Sequence, residues 1–216
     1  MPFQLMKMNR KMFIRRVVFP ALFVALIAAG NAALASSQDV AQFVDRLGKQ
    51  TIETLRAPEL SLGQRKDRFR GLLARGFDIP FIGRFVIGRY WRAATPGQRG
   101  EYLALYSEFF LQTYASRIGD YAGQSFAVTG ARAVNAKDFV VRTEIGRAAG
   151  RRFTTDWRVR LIDGRYRVID IMVEGISMAV TQRSEFASVA RRGGLEGLLM
   201  ILRDRTMKIS EIASLN

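Results

Sequence analysis

The chain of 216 residues contains neither histidine nor cysteine. That removes Ser-His-Asp and Cys-His catalysis, His-based metal sites and disulfide stapling together. Tyr, Lys and carboxylates in a cleft remain as the possible catalytic groups. No carboxylate pair stands at a characteristic spacing. Tyr114 with Asp170 is the one pair that could be nominated, a phenol and a protonated carboxylic acid suited to polarising a carbonyl. Asp170, Glu174 and Arg183 cluster in sequence where a strand gives way to a helix. They read as an ion pair or a brace for that helix, or as contacts to a head group or partner. No metal or cofactor site is expected.

The elements that position these groups centre on Phe153 to Phe186. Phe153, Thr155, Trp157, Val159 and Leu161 alternate with Thr154, Asp156, Arg158 and Arg160, which is the period of a half-buried strand. Asp163-Gly164 is a hairpin signal, because a type I′ turn needs positive φ. The return strand, Arg165 to Glu174, is apolar on both faces: Ile169, Ile171 and Val173 on one, Tyr166, Val168 and Met172 on the other. Such a strand is covered on both sides. Ser125 to Val134 and Lys137 to Ala148 also alternate, and Gly150 leads into the hairpin. Four antiparallel strands in a meander are predicted.

Helices flank this sheet. Ser37 caps a helix over Asp39 to Arg56, ended by Ala57-Pro58. Ser61…Gln64 and Thr95…Gln98 have capping-box spacing, each opening a helix. Asp78 caps a helix that runs on through Trp91, with Pro80 in its first turn. The helix from Pro96 to Ile118 is the longest. Arg65, Lys66, Arg68, Arg70 and Arg75 form a basic face on the second helix, read as solvated. After Ile176 the helical period returns and is broken at Gly193-Gly194. Helices, then sheet, then helices argue for an α+β domain.

The amino-terminal residues read as an address. Lys7, Arg10, Lys11, Arg15 and Arg16 precede an apolar run, Val17 to Gly30, and Ala33-Leu34-Ala35 has the form of a cleavage site. This predicts a signal peptide over 1–35 and a single domain over 36–216. The net charge is +15; removing five signal cations from 34 leaves 29 against 19 acidic residues, net +10. Export turns that charge away from nucleic acid and toward anionic lipid or acidic protein surfaces.

Two passages go beyond pattern. One is Ile87-Gly88-Arg89-Tyr90-Trp91-Arg92 with the Thr95-Pro96 cap and Tyr102, Phe109, Phe110, Thr113 and Tyr114. The other is Trp157-Arg158-Val159, Tyr166 to Val173, Glu174-Gly175-Ile176-Ser177 and Gln182-Arg183-Ser184-Glu185-Phe186. Together they resemble the MlaC/toluene-tolerance family of exported lipid-binding proteins, including its hopanoid-associated relative HpnM. Gln182, where the family often carries an aromatic nearby, leans toward the HpnM branch.

The resemblance implies a periplasmic carrier with an NTF2-like cone and a deep pocket between sheet and helices. Its cargo would be a phospholipid or hopanoid, exchanged with an inner-membrane ABC/MCE-type transporter and an outer-membrane lipoprotein complex. Two acyl chains call for a pocket at or above about 1,000 Å³. The apolar residues nominated for its wall are Phe81, Phe85, Tyr90, Trp91, Phe109, Phe110, Tyr114, Phe139, Val141, Trp157, Val159, Ile171, Val173 and Met178. Ordinary core would ask for the same residue types. Two other functions fit the chain: an NTF2-like enzyme acting on a steroid- or hopanoid-like substrate, and a basic surface-binding module without cargo.

Overall fold

The computed structural model describes residues 18–116, 118, 123–146 and 152–214, with side chains between 37 and 208. The order is α1 (Val18–Arg56), α2 (Leu62–Gly76), α3 (Ile79–Ile87), α4 (Tyr90–Ala93) and α5 (Pro96–Ala115), then strands β1 (Ser125–Ala133), β2 (Asp138–Gly146), β3 (Arg152–Ile162), β4 (Arg165–Val173) and β5 (Ile176–Ser177), then α6 (Met178–Ser214). The basic segment Lys7 to Arg16 and Gly150 lie outside the described residues. Among the described residues no helix is long and apolar enough to cross a membrane.

Local chemistry explains most boundaries. Ser61 Oγ accepts from the Gln64 amide while Gln64 Oε1 accepts from the Ser61 amide, and Thr95 with Gln98 repeats the arrangement. Both capping boxes form as expected. Asp78 Oδ1 accepts from the Phe81 amide at 3.0 Å and starts α3. Ser37 does not cap α1, because the helix runs through it from Val18. The alanine-rich stretch before it favours helix, so no start is needed there. The helix expected through Trp91 divides at Gly88, whose φ of 60° is left-handed.

The sheet is an antiparallel meander, β1-β2-β3-β4-β5. Asp163 and Gly164 both take positive φ, as a type I′ turn demands. A second such turn, Glu174 (φ 49°) and Gly175 (φ 81°), returns the chain as β5, which makes five strands where four were expected. A bulge corrects the reading of β4. Trp157 faces Ile171 and Arg158 faces Asp170, but Val159 faces Val168 and Leu161 faces Tyr166. The extra residue turns Tyr166 and Val168 onto the face of Ile171 and Val173. Most of the supposed second apolar layer therefore belongs to the first.

That face packs on the helices. Val141, Val159 and Val168 are completely buried, and Phe139 meets Tyr166 edge-on at 5.8 Å. Tyr102 and Tyr106 of α5 are also fully buried, and the Tyr102 hydroxyl donates to the Gly83 carbonyl at 2.9 Å. The opposite face carries ion pairs in register: Arg142 with Asp156 (2.8 Å) and Arg160 with Asp138 (2.6 Å). Arg158 is exposed beside them. On α2, Arg70 is not merely solvated; it binds Glu108 of α5 at 2.8 Å.

Candidate functional site

Between the sheet's buried face and α1, α2 and α5 lies a cavity of about 370 Å³. Leu47 and Thr51 come from α1, Phe69, Leu72 and Leu73 from α2, Phe110 and Tyr114 from α5. Strand residues Ile145, Phe153, Thr155, Trp157, Ile171 and Val173 form the facing wall, and Met178, Ala179 and Gln182 of α6 close one side. Phe77 and Ile82 complete the apolar surface. The volume falls well below the thousand cubic ångströms expected for two acyl chains. Three rings of its wall adjoin: Phe77 lies 5.6 Å from Phe110 and 6.3 Å from Trp157.

Six of the nominated wall residues border this cavity: Phe110, Tyr114, Trp157, Ile171, Val173 and Met178. The other eight do not. Phe109, Phe139, Val141 and Val159 are buried in the core beside it. Phe81, Phe85, Tyr90 and Trp91 are half-buried, each beneath a guanidinium: Arg160 over Phe81 at 4.7 Å, Arg183 over Phe85 at 4.9 Å, Arg89 over Tyr90 at 5.1 Å and Arg99 over Trp91 at 5.3 Å. These four rings pack against the core cluster on one side and meet a cation–π partner on the other. The lining residues that sequence reasoning missed are chiefly Leu47, Phe69, Leu72 and Leu73, on helix stripes that read as plain core, and Phe77, the extended residue that ends α2.

The polar groups in the wall are nearly all engaged. Trp157 donates its indole N–H to Thr143 Oγ1 at 3.0 Å, and Thr143 shares a 2.5 Å hydrogen bond with Thr155. Asp170 accepts from the Ser177 hydroxyl at 2.6 Å and from the Ala179 amide at 3.1 Å. Its carboxylate thus holds the first turn of α6, the bracing role foreseen for it. Glu174 accepts from the Thr154 amide, and Arg183 lies over Phe85. Asp170, Glu174 and Arg183 accordingly serve three separate contacts and not one ion-paired cluster. Gln182 Oε1 accepts from the Tyr106 hydroxyl at 2.6 Å. No group of acidic side chains among the described residues could hold a metal ion.

Residues 45–204 match the MlaC protein family. The chain belongs to the MlaC family. Among MlaC relatives, the intermembrane phospholipid transport system binding protein MlaC of Haemophilus influenzae is 21% identical over 126 residues, 56% of this chain and 59% of that protein. Toluene tolerance protein ttg2D of Pseudomonas putida is 26% identical over 129 residues, 59% and 60% of the two chains. The matched stretch thus spans about three-fifths of the length of these relatives. The phospholipid-binding protein from Ralstonia solanacearum, solved in complex with a phospholipid, superposes with a TM-score of 0.68 at 25% identity, over 78% of this chain and 97% of that one. The α+β architecture is therefore the MlaC fold.

Proposed function

We propose that this protein is a lipid carrier that holds the acyl chains of a membrane lipid in the cavity beside Trp157. The observation that supports it most is an apolar cavity between sheet and helices in a fold shared with a protein solved with phospholipid. Phospholipid is the favoured cargo, with hopanoid the alternative. Each buried methylene is worth about 0.8 kcal/mol, and a bilayer offers nearly the same. Transfer is then close to balanced, and docking energies set its direction. Filling the cavity with two chains requires the wall rings to move apart. Asp170 is spent on α6, which favours carriage over turnover.

The setting is the periplasm, reached by cleavage after Ala35. Partners are an inner-membrane ABC/MCE-type transporter and an outer-membrane lipoprotein complex, met through the basic surface. Amino-terminal sequencing of the native protein should begin at Ser36; a form retaining Arg15 and Arg16 would mean an anchored protein. Mass spectrometry of lipids extracted from the purified mature chain tests the carrier reading. Phospholipid or hopanoid near equimolar amounts is expected, and protein that never acquires lipid from vesicles would overturn it.

A further inference from the structure

The cavity wall holds five polar side chains, Thr51, Tyr114, Thr155, Asp170 and Gln182. Thr51 donates to the Leu47 carbonyl at 2.8 Å, Thr155 is tied to Thr143, and Asp170 is held by Ser177 and Ala179. Tyr114 is partly exposed and rests on Phe110, with ring centres 4.7 Å apart. Gln182 differs. Its carbonyl oxygen is taken by Tyr106, while its Nε2 has no hydrogen-bond partner among the described residues. Tyr106 is fully buried, and burial pushes its phenol well above the usual range, so it remains a donor. Turning the amide over would leave that buried proton without an acceptor, a cost of about 1–3 kcal/mol. The orientation that leaves the two N–H groups free is therefore the stable one, on a side chain that lines the cavity.

We propose that Gln182 Nε2 donates to an acyl-ester carbonyl of a glycerophospholipid, making Gln182 the residue that distinguishes ester-linked cargo from plain hydrocarbon. This rests on the carrier reading above. A neutral amide suits a neutral acceptor. A phosphate would call for a guanidinium or ammonium, and none of the lining residues is Lys or Arg. Ester carbonyls sit where the chains join the head, so chains in the cavity bring a carbonyl to its wall. A polycyclic hydrocarbon carries no such acceptor.

The test compares a diester phospholipid with the diether phospholipid of identical head group and chain length, by competition for the purified full chain. The wild-type protein is expected to prefer the diester by about 3- to 10-fold, the range of one net hydrogen bond. Gln182→Leu should bind both alike while keeping its affinity for the diether within about twofold, since the chains supply most of the binding. Tyr106→Phe should reduce the preference without removing it, because it only positions the amide. Gln182→Met, of similar length, replaces the leucine variant if that fails to fold. Equal wild-type affinity for both lipids overturns the assignment, and so does a preference that survives in Gln182→Leu. Failure of the wild type to bind either lipid would overturn the carrier reading itself.

Discussion

Trp157 and Thr143 face the helices from neighbouring strands, and the indole N–H of one donates to the hydroxyl of the other at 3.0 Å. Thr143 is completely buried, and Thr155 shares its hydroxyl. A large aromatic wall residue is thereby locked in orientation by a two-threonine relay inside an apolar layer. Buried polar groups of this kind are stabilising only while every member is satisfied.

Thr143→Val is nearly isosteric but strips both partners at once. The loss expected is about 2–3 kcal/mol, from two polar groups left without a mate. Thr143→Ser keeps the hydroxyl and should cost about 1 kcal/mol for the methyl group. Urea denaturation of the three proteins checks the order; a valine variant as stable as the serine one would show that the relay contributes nothing.

Two glycines should respond in opposite directions to the same substitution. A Cβ on Gly83 would lie 2.7 Å from Tyr106 Cδ1, so α3 approaches α5 only because glycine stands there. Gly83→Ala gains about 1 kcal/mol of helix propensity but incurs about 1–3 kcal/mol of overpacking against a fully buried ring. A net loss, with a weakened Tyr106–Gln182 contact, is expected. Gly100, also helical, has nothing within 4 Å of its added Cβ. Gly100→Ala should stabilise by about 0.4–1 kcal/mol. Melting temperatures moving the same way for both would refute the packing argument.

Much of this was legible from residue order. The two capping boxes, Asp163-Gly164 and the alternation of Phe153 to Leu161 each depend on local chemistry, and each formed where expected. The bulge opposite Arg158 depends on pairing between strands, which alternation alone does not encode, so Tyr166 and Val168 were placed on the wrong face. The cavity wall was half legible for a related reason. Trp157 and Ile171 follow from the strand face, but Leu72 of the wall and Leu198 of the core are the same residue type on similar helix stripes. Only the space between elements separates them. The guanidiniums over Phe81 and Phe85 come from Arg160 and Arg183, distant in sequence, so those contacts were not legible either.

Acid should weaken the outer face of the sheet. Arg160's guanidinium, together with the Asn135 amide, holds the Asp138 carboxyl below its ordinary range. A folded-state value below the unfolded one means that the stability it confers is fully present above about pH 4. It is lost as pH falls through the folded value. Asp138→Asn should therefore be less stable than wild type near neutral pH, by up to about 1 kcal/mol for a partly exposed pair. The gap should be smaller at strongly acidic pH than at neutral pH. Denaturation curves at both pH values measure it, and a gap that widens in acid would reverse the assigned sign.

Trp157 offers the sharpest separation of wall from core. Its ring meets Phe77 at 6.3 Å and Phe126 edge-on at 6.1 Å, and its remaining surface borders the cavity. Trp157→Ala should cost about 3 kcal/mol in lipid-free protein, the low end for a tryptophan truncation, because one side of the ring already lacks protein neighbours. Cargo binds the folded state and adds stability by mass action. The variant, with an enlarged and misshapen wall, should lose most of that added stability. Thermal melts of both proteins, delipidated and then refilled with one phospholipid, separate the two effects. Equal rises on refilling would place Trp157 in the structural core alone and move the cargo away from the hairpin face.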